Sequence, residues 1–230
     1  MTHVLVPIAI LKGQTVGPGL IELLDPVNVT VLGYHEVPEQ TPPDQARAQF
    51  EERAVNALED ILSDFEGNAG EAYYRLVFTH DHHKSIERVA AEVDADAYVL
   101  PGVAGPIERL LVPLSGEIPV EELIAFVRTL VGGRSMGVTL LHTSRSPAPA
   151  GAVNDVMRQL EEAGIEVQTK EASGRPFDAL IEATPDHDAI VMSKHAPSLS
   201  SLVLGDEAER VAAASVGPVF VVRQVTGETS

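Results

Sequence analysis

The chain has 230 residues, 44% of them apolar, enough for one large domain or two small ones and too apolar for disorder. It has no Cys, which rules out a disulfide framework, a thiolate nucleophile and any Cys-based zinc or iron–sulfur site. Asp and Glu number 34 against 16 Lys and Arg, a net charge of −18; such a surface repels phosphate backbones and anionic lipid, so no nucleic-acid partner is expected.

The basic residues are skewed too, with 4 Lys against 12 Arg and no Trp in the chain. An acid-rich, Lys-poor composition fits a cytoplasmic protein of a salt-loving organism, since at 1 M salt a Debye length of about 3 Å makes the self-repulsion tolerable. An ordinary acidic cytoplasmic protein is the plainer alternative. The longest apolar run, 4–11, is broken by Pro7 and falls far short of the roughly 18 residues of a spanning helix, so no membrane insertion is expected. The first residues read as a strand and not as a leader peptide. Asn28-Val-Thr30 fits a glycosylation sequon, but it sits inside a predicted strand and is set aside.

Short β runs alternate with helical runs along the whole chain. Residues 3–8 form a continuous apolar strand, as expected where both faces of a parallel sheet are covered. A short helix at 19–24 and a strand at 27–37 follow. Apolar residues at 50, 54, 58, 61, 62 and 65 make a helical stripe over 44–65. A strand at 72–79, a helix at 85–93 and a strand at 97–100 complete the first series. The order then restarts: strand 110–114, helix 120–131, strand 138–142, helix 153–163, strand 166–170. A helix at 176–183 has Pro at its first position. Then come a strand at 189–192, a helix at 207–215 and a last strand at 219–222.

The letters repeat as well as the pattern. Leu5-Val-Pro7 matches Leu111-Val-Pro113, Val29-Thr-Val-Leu32 matches Val138-Thr-Leu-Leu141, and Ala97-Tyr-Val-Leu100 matches Ala189-Ile-Val-Met192. The expected division is 1–108 and 109–230, with the first half lacking the last helix and strand. No Ser/Gly-rich linker separates them, so they are expected to pack together. The alternation predicts an α/β fold of two tandem, doubly wound parallel-sheet halves with right-handed crossovers. In such sheets ligands bind beyond the carboxyl ends of the strands.

The opening Val4-Leu-Val-Pro7, the run Gly174-Arg-Pro-Phe-Asp-Ala-Leu-Ile181, Ile190-Val-Met-Ser-Lys-His-Ala196 through Leu204-Gly-Asp206, and the closing Gly217-Pro-Val-Phe-Val-Val222 resemble the universal stress protein family. The resemblance covers nearly the whole chain as a tandem pair with the first half truncated. It implies an adenine-nucleotide alpha-hydrolase-like fold. Many members bind ATP or AMP through a loop of Gly, two residues, Gly, about nine residues, then Gly-Ser or Gly-Thr. Small residues there let backbone N–H groups approach the phosphates.

This chain departs from that loop. In the second half, Ser193 and Ala196 stand at the two glycines, the spacer to Gly205 is one residue short, and Asp206 replaces the hydroxyl residue. His195 lies within the loop. Asp206 followed by Glu209 has capping-box spacing, which would put the protein's own carboxylate where a phosphate would sit. The Asp that the family places after its first strand is absent, with Ala9-Ile10 in the first half and Ser115-Gly116 in the second. The first half keeps Gly102 and Gly105, but a G-x-x-G alone also reads as a plain turn. Ala9, Gly102, Gly105, Ser193, His195, Ala196, Gly205 and Asp206 are therefore the degenerate nucleotide-site positions.

Other motifs carry less. Gly133-Arg-Ser-Met-Gly137 fits G-x-S-x-G, but a nucleophile elbow needs a strand before and a helix after; the order here is inverted and predicts a turn. His80, His82 and His83, with Asp81 between, are the densest titratable cluster. They are candidate ligands for zinc or nickel or, in the simpler reading, a loop whose Asp81 caps the next helix. Pro185-Asp-His-Asp188 reads as a turn after a helix. No P-loop, dinucleotide fingerprint or H-E-x-x-H occurs, so an enzyme reading has no positive feature.

The expected function is a non-enzymatic regulatory or interaction module of the universal stress class with degraded nucleotide sites and an unnamed protein partner. The alternatives are an AMP or ATP sensor of the same family and, more distantly, a nucleotide hydrolase. No cofactor is expected on the first reading. The run 219–222, apolar on both faces, is expected to join a homodimer edge to edge; its rival is that it covers the bare fourth strand of the first half within one chain.

Overall fold

The computed structural model describes residues 1–102, 105–114, 120–144, 148, 151–194 and 217–223. Among these residues nine strands run in chain order: β1 His3–Ala9, β2 Asn28–Glu36, β3 Ala72–Thr79, β4 Ala97–Leu100, β5 Arg109–Leu114, β6 Gly137–Thr143, β7 Glu166–Ala172, β8 Ala189–Ser193 and β9 Val219–Val222. The helices are α1 Pro18–Leu23, α2 Pro43–Ser63, α3 His82–Glu92, α4 Val120–Val131, α5 Ala152–Glu162 and α6 Pro176–Ala183. Each predicted element among the described residues is present, within a few residues of its expected bounds. The predicted helix at 207–215 lies outside them.

The α3 start shows the local logic. The apolar stripe begins only at Ile86, but the helix begins at His82 because Asp81 caps it: its carboxylate accepts from the Lys84 N–H at 3.0 Å. A cap sets a helix start that periodicity cannot see.

The strands form one sheet in the order β3-β2-β1-β4-β9-β8-β5-β6-β7. The first four strands and β5–β8 take the same order about their own first strand, and every pairing within each set is parallel. The helices cover both faces. One face buries Val6, Val31, Val112 and Phe220 against α1, α2, α4 and α5. The other buries Leu5, Leu32, Leu111 and Val221 against α3 and α6. Each cluster runs across both sets of strands, so the two sets share a continuous core on each face.

Each set of strands is parallel as expected, and where the sets meet β9 is parallel to β8 but antiparallel to β4, with Leu100 opposite Val219 and Ala97 opposite Val222. One sequence expectation needs correction: 219–222 is not a free edge for a homodimer. Both of its edges are hydrogen-bonded inside this chain, and all four of its residues are buried. Among the described residues no fifth strand follows β4 in the first series, and β9 covers its edge. No helix among the described residues is long and apolar enough to cross a membrane.

Candidate functional site

The antiparallel seam decides where the candidate positions go. Since β4 and β9 run in opposite directions, the carboxyl ends of β1–β4 lie at one edge of the sheet and those of β5–β8 at the other. Ala9, Gly102 and Gly105 thus fall at one edge and Ser193 at the opposite one. The positions His195, Ala196, Gly205 and Asp206 lie outside the described residues.

At the first edge, Ala9 is 8% exposed and its N–H donates to Gln14 Oε1 at 2.9 Å. Gly102 follows β4 and packs directly on Gly217, which precedes β9. A Cβ on Gly102 would stand 2.4 Å from the Gly217 carbonyl oxygen, and one on Gly217 would stand 1.5 Å from that of Asp188. Three stretches of backbone meet there with no room for a side chain. Gly105 serves a second close approach, its carbonyl oxygen lying 1.8 Å from where a Cβ of Gly19 would be. Asp188 fastens the chain that enters β5. Its Oδ2 accepts from the N–H groups of Glu108 and Arg109, at 3.0 and 2.9 Å. The Pro185–Asp188 stretch is the turn expected of it, a 3₁₀ turn over Thr184–Asp186.

At the opposite edge, side chains make the contacts. Ser193 is 1% exposed. Lys194 follows it, donates its N–H to the Val222 carbonyl at 2.8 Å and pairs its ammonium with Glu87 on α3. Arg223 leaves β9 and reaches the end of α3, where Nη1 donates to the carbonyls of Ala90 and Ala95 at 2.8 and 2.7 Å. A cation at a helix C-terminus also meets the negative end of the helix dipole. Asp96 completes this corner, its Oδ2 accepting from the His3 N–H at 2.8 Å. Burial, with Glu87 nearby, pushes the Tyr98 hydroxyl well above the usual tyrosine range.

The three histidines do not gather around one point. His80 Nδ1 lies 3.1 Å from the Val37 carbonyl. His82 Nδ1 lies 3.2 Å from Glu36 Oε1, and its ring stacks on Tyr34 at 5.1 Å. The His83 ring packs on His82, centroids 4.0 Å apart. Among the described residues no group of three or more His, Asp or Glu is placed to hold a metal. The backbone N–H of Lys84, then its side chain, hold the Asp81 carboxyl below its usual range. His35 sits between the edges of Phe50 and Phe78; burial, then Lys12, lower its pKa.

The G-x-S-x-G stretch is a turn between α4 and β6, with Gly132 and Gly133 at φ +51° and +78°. Arg134 in it ties the two strand sets together. Nη1 donates to Leu130 O at 2.7 Å and Nη2 to Glu22 O at 2.8 Å. Beside it Gly19, Glu22, Ile107, Arg134 and Met136 line a cavity of about 350 Å³.

Sequence reasoning missed Arg223, Glu87 and the packing role of Gly217. Arg223 carried a faint signal, as a lone cation just beyond an apolar strand. Glu87 and Gly217 carried none, because their partners lie more than 100 residues away or depend on the seam.

Residues 142–223 match the family model described as Universal stress protein family. A universal stress protein from Archaeoglobus fulgidus DSM 4304 shares the fold over 97% of both chains, with a TM-score of 0.68 and 16% identity. The universal stress protein UspA from Lactobacillus plantarum (TM-score 0.39, 17% identity) covers 52% of this chain with 99% of its own. A universal stress protein solved in complex with cAMP (TM-score 0.39, 14% identity) gives the same coverage. No curated protein matches the chain.

Proposed function

We propose that this chain is a regulatory or interaction module of the universal stress class whose nucleotide positions are given over to holding its own two units together. The units are 1–108 and 109–230; the matching strand orders support that division. The observation that carries the reading is the contact of Gly102 with Gly217. In a nucleotide-binding loop, a glycine lets the backbone approach a phosphate. Here the backbone that approaches Gly102 is the protein's own. Ala9 offers no carboxylate to a nucleoside, and its N–H is already bonded to Gln14.

Mass spectrometry of small molecules released from the purified protein tests this, together with calorimetric titration of AMP, ATP and cAMP. No retained nucleotide and no micromolar binding are expected. Asp206→Ser is expected to strengthen ATP binding, since removing the carboxylate relieves repulsion of the phosphates. Retained AMP or ATP would overturn the reading in favour of a sensor. ATP turnover abolished by a single change at either strand edge would favour a hydrolase.

The module is also adapted to concentrated salt. The net charge of −18 is screened only when the Debye length is short. The melting temperature should rise steeply between about 0.05 M and about 3 M KCl, which spans Debye lengths from beyond 10 Å to below about 3 Å. An unshifted curve would remove this adaptation.

A further inference from the structure

Among the described residues two strands, β3 and β7, end the sheet, and they are guarded differently. On β7, Glu166, Lys170 and Glu171 are charged and five of the seven residues are exposed. Charges of this kind discourage an edge from pairing with another chain. On β3, eight residues long, Arg75 is the one charged side chain, among Tyr73, Tyr74, Leu76, Val77 and Phe78.

The free edge of β3 can be assigned residue by residue. The carbonyls of Glu71 and Thr79 accept from Val29 and Val37 of the β2 side, both at 2.8 Å, so the odd residues turn their backbone groups inward. Strand alternation then points the N–H and C=O of Ala72, Tyr74, Leu76 and Phe78 outward. Arg75 Nη1 lies over one of these, the Tyr74 carbonyl, at 3.3 Å. Ala72, Tyr74 and Leu76 pack their side chains on the face that α2 covers. On the other face Glu71, Tyr73 and Arg75 form an exposed stripe, and Tyr73 is 50% exposed.

We propose that β3 is a self-association edge: two copies pair antiparallel about a two-fold axis through Tyr73. This goes beyond the nucleotide reading and is independent of it. In that register Tyr73 stands opposite its own copy, and Glu71 stands opposite Arg75 of the partner subunit, twice by symmetry. These are positions between the hydrogen-bonded pairs, where cross-strand side chains stand closest, and opposite charges there stabilise. Ala72 and Tyr74 supply the backbone bonds. An axis through Arg75 would set arginine against arginine, and one through Tyr74 would set Glu71 against Val77. Charge complementarity therefore selects Tyr73. The acids of α2 at 51, 52, 59 and 60 repel across such an axis, so pairing needs salt.

Sedimentation equilibrium of the full chain in about 1 M KCl tests the proposal, since a Debye length of about 3 Å screens the α2 acids across the axis far more than it screens Glu71 against Arg75 in direct contact. The wild-type mass should climb with concentration from 24.5 kDa towards twice that value. Arg75→Glu and Glu71→Arg should each stay monomeric, because each sets like charges against one another. Mixed together, the two variants should associate again, since both contacts become opposite in sign. Circular dichroism should show both variants folded, both sites being exposed. A wild type that stays monomeric, a dimer that both variants keep, or a mixture that does not recover would each overturn the proposal.

Discussion

The two ends of the β4–β9 seam close the sheet by different means. At the Gly217 end, backbone lies on backbone, and a single added carbon would stand 1.5 Å from the Asp188 oxygen. At the Arg223 end, long side chains reach across to α3 through hydrogen bonds and an ion pair. The lesson concerns tolerance. A backbone contact admits only glycine and fails abruptly, whereas a side-chain contact can be traded in increments.

The comparison breaks most sharply at Gly217. Gly217→Ala must push the start of β9 off the Asp188–Ala189 backbone that enters β8, and overpacking of rigid backbone costs about 3 kcal/mol or more. Thermal melting in concentrated salt should show a drop of at least roughly 6 °C, at about 2–4 °C per kcal/mol for a chain of this size. A drop under about 2 °C would mean that the seam has slack.

Arg223→Ala comes next. It leaves the Ala90 and Ala95 carbonyls without this donor at the end of α3, which costs about 1–3 kcal/mol. Amide hydrogen exchange should rise in the last turn of α3 and in β4, while β7 stays protected. Equal exchange in the variant and the wild type would show that Arg223 contributes little.

The smallest effect belongs to Glu87 and Lys194, whose side chains are 32% and 30% exposed. A double-mutant cycle with Glu87→Gln and Lys194→Met should give a coupling of about 0.5–1 kcal/mol in dilute salt that shrinks in concentrated salt. A coupling that survives concentrated salt undiminished would place the pair among buried contacts.

Much of the fold was legible in the letters because its signals are local. The continuous apolar runs at β1 and β5, the stripe on α4 and the Pro at the start of α6 each report on a few neighbouring residues. The candidate site was legible only as positions. The sequence marked Gly102 and Gly105 as glycines in a loop, but a glycine reads the same whether a phosphate or another backbone approaches it. The histidines at 80, 82 and 83 were visible as a cluster. Their contacts, His80 with Val37, His82 with Tyr34 and His83 with His82, depend on how β2 and β3 lie side by side.

By itself the sequence determined the elements among the described residues and their alternation. It also set the charge of −18, a sum that no fold can alter. Only the tertiary structure decided what 219–222 pairs with. Backbone hydrogen bonds are generic, so a short strand that is apolar on both faces fits any uncovered edge, in its own chain or in another. The choice went to β4, antiparallel, because that edge lies within reach and because Gly102 and Gly217 let the two backbones meet.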